Sequence, residues 1–166
     1  MKRRIASLLV ALAAVAAHAE TEAQATFNAL KKLQGTWMES KGKGKAGIKV
    51  VYKVSGAGSA LFETQFPGTP MEMISVYHLD GPDKLILTHY CAAKNQPTMA
   101  LKPGATAKEF FFDFVSGTNM KPTDMHIHSV RYRLIDKNHI TSTWGGYLNG
   151  KTSGPPEIFD LHRVKA

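Results

Sequence analysis

Cysteine is nearly missing from this chain: Cys91 is the only one among 166 residues. No intramolecular disulfide can form, so the fold must hold by its core. Carboxylates are scarce too, 13 against 21 Lys and Arg, for a formal net charge of +8. Beyond residue 19 no apolar run approaches the ~20 residues of a membrane-spanning helix, and stable insertion in a membrane is not expected. Neither Gly-x-Ser-x-Gly nor His-Glu-x-x-His occurs, so the enzyme case has no positive signal. No motif names a cofactor or an oligomeric state.

What the N-terminal stretch does carry is a three-part pattern. Lys2, Arg3 and Arg4 are followed by the apolar run Ile5 to Ala17, and Ala17-His18-Ala19 offers small-x-small. This predicts a signal peptide over 1–19, cleavage after Ala19, and a periplasmic or secreted chain beginning at Glu20. No cysteine stands at the cleavage point, so a lipid anchor is not expected. Losing Lys2, Arg3 and Arg4 lowers the formal charge from +8 to +5. Much of the remainder sits in Lys41, Lys43 and Lys45, a Lys-Gly alternation that reads as a solvated loop. For an exported protein, nucleic acid is not an expected partner.

Residues 20–166 read as one domain. Glu20 to Lys32 is helical, with Thr21 or Thr26 as cap and Phe27, Leu30 and Leu33 at helical spacing. Thereafter short runs of β-branched and aromatic residues alternate with Gly, Pro, Asn and Asp. They predict strands near 34–40, 47–55, 59–66, 71–79, 84–92, 97–102, 108–115, 125–135, 139–147 and 156–164. Turn chemistry separates them, as in Gly56-Ala57-Gly58, Asp80-Gly81-Pro82-Asp83 and Asp136-Lys137-Asn138. The fold class expected is all-β: a ten-stranded antiparallel up-and-down barrel, which leaves no edge unpaired, with one short N-terminal helix over an end.

Faces can be assigned where charges alternate with apolar residues. Arg131 and Arg133 must face water, which turns Val130, Tyr132 and Leu134 inward. A three-residue turn then pairs Leu134 with Ile140, Tyr132 with Ser142 and Val130 with Trp144. Ile48, Val50, Tyr52 and Val54 form a second inward row, and Phe110, Phe112 and Phe114 a third.

Gly35-Thr36-Trp37 after the helix, together with Arg163 at the end of the last strand, resembles the Gly-x-Trp and late basic residue of the calycin superfamily. That superfamily includes lipocalins, fatty-acid-binding proteins and nitrobindin-like barrels. The resemblance implies that Trp37 plugs the closed end and that Arg163 packs across its ring, both as structural residues. The stretches Tyr77–Gly81, Leu87–Cys91 and Asn95–Pro97 also resemble uncharacterised exported bacterial lipocalin-like domains. These imply a fold and a compartment, not an activity.

His126-Ile127-His128 is the most suggestive constellation, because residues two apart on a strand share a face. Strict alternation places both imidazoles inward with Val130 and Tyr132. A third ligand would make a metal site, and His89, Cys91 and Glu63 are candidates by type. Thr88-His89-Tyr90-Cys91 sets a thiol beside an imidazole, but side by side is poor geometry for proton transfer. Glu63 and Glu72 are the only acids mid-strand near apolar neighbours, and both are expected to face out. The reading is an exported binding protein for a small, largely apolar molecule, lined by His126, His128, Tyr132, Ser142 and Trp144. The competing class is a metal or haem protein or enzyme using His126, His128 and His89. A surface-acting module with a filled barrel is the third.

Overall fold

The computed structural model describes residues 19–39 and 47–165. The predicted signal segment up to residue 18, and the Lys41, Lys43 and Lys45 alternation, lie outside them. Helix α1 (Glu22–Lys31) starts where its sequence provides a reciprocal cap. Thr21 Oγ1 accepts from the Gln24 backbone N–H at 3.2 Å, and Gln24 Oε1 accepts from the Thr21 N–H at 2.9 Å. Two otherwise unpaired donors of the first turn are satisfied in this way. The other cap candidate, Thr26, is buried within the helix beside Ala23, Phe27 and Leu30.

The strands are β1 (Gly35–Glu39), β2 (Lys49–Ser55), β3 (Ala60–Gln65), β4 (Met73–Leu79), β5 (Leu85–Tyr90) and β6 (Gln96–Leu101), followed by β7 (Glu109–Thr118), β8 (His126–Asp136), β9 (His139–Leu148), β10 (Lys151–Thr152) and β11 (Glu157–Arg163). Each of the ten expected strands is present to within three residues; β10, a two-residue addition to β9, was not foreseen. Strands β1 to β9 pair in chain order, β9 pairs with β11, and β11 returns to β1. Every pairing is antiparallel. Ten strands therefore close into a barrel, and its ladder has no free edge.

The β8–β9 hairpin has the expected register: Leu134 opposite Ile140, Tyr132 opposite Ser142, Val130 opposite Trp144. Val130, Tyr132, Ser142 and Trp144 are buried. On the other face Arg131 and Arg133 reach the Glu109 carboxylate at 2.7 and 3.4 Å. Val50, Tyr52, Phe110 and Phe112 also point into the core, as the alternation requires.

The two ends differ. At one, Thr21 Oγ1 donates to the Pro82 carbonyl at 2.6 Å, and the Glu22 carboxylate accepts from the Gly104 and Ala105 N–H groups at 3.3 and 3.0 Å. Arg163 binds the Gln34 and Lys32 carbonyls at 2.7 and 2.9 Å, with its guanidinium carbon 4.3 Å from the Trp37 ring centroid. Trp37, fully buried, donates from Nε1 to the Leu33 carbonyl at 2.7 Å. Gly35 has φ +129°, and a Cβ there would stand 3.1 Å from Arg163 Nη1. The conformation calls for glycine at this point, and a side chain would also press on Arg163. Among the described residues the opposite end is tied by its turns: Asn95 Nδ2 donates to the Met125 carbonyl at 2.7 Å, and the Asn149 N–H to the Thr123 carbonyl at 2.9 Å.

Candidate functional site

Four neighbouring strands carry a polar row through the apolar interior. Tyr52 on β2 stands opposite Glu63 on β3, Glu63 opposite Ser75 on β4, and Ser75 opposite His89 on β5. All four are buried. This corrects the expected outward facing of Glu63, whose side chain has 0 % exposure. The register explains it: Val54 pairs with Leu61, so the next inward position along β3 falls opposite Tyr52. Glu72, by contrast, is exposed in the turn before β4.

Glu63 is held by donors from its own strand, from neighbouring β4 and from β8 across the barrel. Its Oε2 accepts from the Tyr77 hydroxyl at 2.5 Å and the Tyr132 hydroxyl at 2.6 Å, and its Oε1 from Gln65 Nε2 at 3.1 Å. The two tyrosine oxygens are themselves 2.6 Å apart. Burial raises the Glu63 pKa above the usual carboxylate range, and the hydrogen bonds from Tyr132, Tyr77 and Gln65 oppose that rise. Desolvation, reinforced by the Glu63 charge, pushes all three phenols Tyr52, Tyr77 and Tyr132 well above their ordinary value. Tyr52 feels that charge, yet its buried hydroxyl has no partner in hydrogen-bonding geometry.

At the other end of the row the Ser75 hydroxyl and His89 Nδ1 are 2.9 Å apart. The His89 ring lies 5.3 Å from that of Trp144, whose Nε1 donates to Ser142 Oγ at 3.1 Å. Trp144 in turn meets Tyr132 edge to face at 6.5 Å. His89 Nε2 is buried without a partner. Burial lowers the His89 pKa from 6.5 to about 4, so the imidazole is neutral at pH 7.

That shift has a measurable consequence. The unfolded chain takes up a proton near pH 6.5 and the native one only near 4. The stability contributed by keeping His89 neutral is complete above 6.5 and is lost as pH falls toward 4. Wild-type protein should lose up to about 3 kcal/mol more than His89→Gln between pH 7 and pH 4. Urea unfolding at the two values checks this; equal losses would mean the imidazole is solvated.

Tyr132, Ser142 and Trp144 are thus together inside the barrel, joined by His89. His126 and His128 are not with them. In the β8–β9 register Ile127 pairs with Gly146 and Ser129 with Gly145, leaving His128 as an extra residue. Such a bulge interrupts the alternation that would carry both imidazoles inward. They form a separate aromatic cluster: His128 stacks on Tyr147 at 3.7 Å and on Phe114 at 5.0 Å, and Phe114 lies 4.8 Å from His126. His126 Nε2 faces His128 Nδ1 at 3.1 Å, while His128 Nε2 faces Asp113 at 3.9 Å. The His128 ring stands between the other two groups, so these three do not aim at one point. Desolvation and then the neighbouring His126 hold His128 below the usual imidazole value, with Asp113 pulling the other way. Cys91 is half-buried, its sulfur 4.0 Å from that of Met73; Ser75, not Cys91, is the partner of His89.

The open clefts lie elsewhere. One of about 870 Å³ runs between α1, the 105–108 turn and the 134–137 turn. Another of about 400 Å³ is walled by Phe114, Met120, Pro122, His126, His128 and Tyr147.

Fold and interior together define a closed ten-stranded antiparallel barrel, with a buried row of titratable and hydroxyl side chains, compatible with ligand binding. The chain is similar in structure to Rv2717c from M. tuberculosis, with a TM-score of 0.58 and 16% identity over 84% of this chain and 97% of that one. A likeness at that identity is one of fold. No family model matches the chain, and neither does any curated protein.

Proposed function

We propose that this chain is an exported binding protein of the calycin type, lipocalin-like or nitrobindin-like, that holds a small, largely apolar molecule inside the barrel beside Trp144. The observation that carries the proposal is His89 Nε2, buried without a partner against the Trp144 ring. A buried polar atom of this kind costs about 1–3 kcal/mol until something bonds to it. A molecule with one polar end on an apolar body fits those surroundings: the end reaches His89 and the body meets Trp144. It would come in from the end opposite α1. The export half of the proposal rests on residues 1–19.

The test uses protein recovered from the extracytoplasmic fraction, its N-terminus sequenced for Glu20. Long-chain fatty acid, retinol and a quinone are titrated while tryptophan emission is followed. The chain has only two tryptophans, so Trp144→Phe leaves Trp37 as the sole emitter. At least one probe should quench or shift the wild-type signal saturably, Trp144→Phe should lose most of that change, and His89→Ala should weaken binding. Silence from every probe, or an unaltered response in Trp144→Phe, would overturn the assignment. A mature chain that retains Met1 would remove export.

A further inference from the structure

On the outside of the barrel, away from the interior row, β9 and β11 bring three ligating side chains to one place. His139 at the start of β9 stands directly opposite His162 on β11. Asp160 lies two residues before His162 and so shares its face. His139 Nε2 and His162 Nε2 both approach the same oxygen, Asp160 Oδ1, at 2.6 and 3.7 Å. The ligand atoms all lie within 4.8 Å of one another, and among the described residues this is the group of three that converges so. The two imidazole rings stack at 4.2 Å with 20° between their planes. His139 has 28% side-chain exposure, Asp160 57% and His162 47%, so a hydrated ion can reach the group.

We propose that His139, Asp160 and His162 form a binding site for a divalent transition-metal ion that favours imidazole nitrogen, with zinc as the representative. Two imidazoles and one carboxylate are a donor set such ions accept, water completing the tetrahedron. Bonds of about 2.0–2.2 Å to such an ion set neighbouring ligand atoms roughly 3–3.5 Å apart. The three atoms already lie within 4.8 Å of one another, and turning the two stacked rings out of parallel would bring their lone pairs to one point. The ion takes the place of the hydrogen between His139 Nε2 and Asp160 Oδ1, the neutral imidazole then carrying its hydrogen on Nδ1. Its mechanical effect is to staple β9 to β11 on the strand that closes the barrel. This site shares no residue with the proposed interior pocket, and either can fail without the other.

Zinc alone is titrated into the purified mature protein by calorimetry, with melting temperature followed in zinc and in chelator. One ion should bind per chain, melting should rise in zinc, and chelator should reverse it. His139→Ala, Asp160→Asn and His162→Ala should each weaken binding roughly tenfold or more. All three residues face solvent, and circular dichroism of the metal-free variants shows that the barrel is intact. The double variant His126→Ala/His128→Ala should bind as wild type does. Absence of saturable binding, or binding lost in that double variant and kept in the three single ones, would overturn the proposal.

Discussion

Trp37→Ala should cost about 3–5 kcal/mol of stability, as large aromatic truncations in a packed core do. The indole is fully buried where the helix meets the barrel. It meets the Tyr52 ring edge to face at 6.4 Å, donates to the Leu33 carbonyl at 2.7 Å and lies under Arg163 at 4.3 Å. Alanine would leave a void between α1 and the strands and take the indole donor from the Leu33 carbonyl. Arg163 would lose the surface it covers. Trp37→Phe keeps most of the volume but not the donor, and should cost about 1 kcal/mol more than a purely apolar exchange. Arg163→Ala should cost less than Trp37→Ala, since it leaves no buried void and its ring contact and carbonyl bonds lie at a partly solvated site. Equilibrium urea unfolding followed by circular dichroism ranks the three. A loss below about 1 kcal/mol for Trp37→Ala would show that the plug carries no weight.

Glu63→Ala should be nearly as damaging, about 4 kcal/mol, through a different cause. Two tyrosine hydroxyls and the Gln65 amide converge on this carboxyl group inside the barrel. Removing it opens a void and strips buried donors of their acceptor, at about 1–3 kcal/mol for each left unpaired. Tyr77 and Tyr132 can still bond to one another, 2.6 Å apart, which limits the damage. Glu63→Gln keeps an oxygen and the volume, and should cost only about 1 kcal/mol at neutral pH. The pH dependence separates them further. Because burial raises the native pKa of Glu63, the folded chain keeps its proton after the unfolded chain has released it near 4.5. The stability from this group is therefore complete below 4.5 and declines as pH rises through the native value. Glu63→Gln should flatten that decline, and parallel curves for wild type and Glu63→Gln would mean the carboxyl group is not desolvated.

Strand number and the β8–β9 register were legible because charge left no choice. Arg131 and Arg133 cannot be buried, and a short turn then sets every partner as far as Trp144. The facing of Glu63 was not legible by that route. Ala60-Leu61-Phe62 is apolar in both parities, so β3 offers no alternation to read, and the decisive constraint is its pairing with Tyr52. The separate clustering of His126 and His128 was hidden for the opposite reason: their alternation is clean, but a bulge that depends on β9 interrupts it. Asp160 and His162 share a face by their spacing, but nothing in the sequence brings His139 to them. The two lie 21 residues or more from it, on a strand whose register exists only once the ring has closed.

The clasp between Arg163 and Gln34 joins positions 129 residues apart. The β1–β11 ladder is thus a seam that cannot be sewn until the final strand is available. Until then the growing sheet has two raw borders, one on β1 and one on β9, each able to recruit a strand from another molecule. Loop closure across so long a span is slow. A chain emerging N-terminus first would meet its most aggregation-prone interval after β9 has emerged and before β11 has, which makes β11 the strand that ends its exposure.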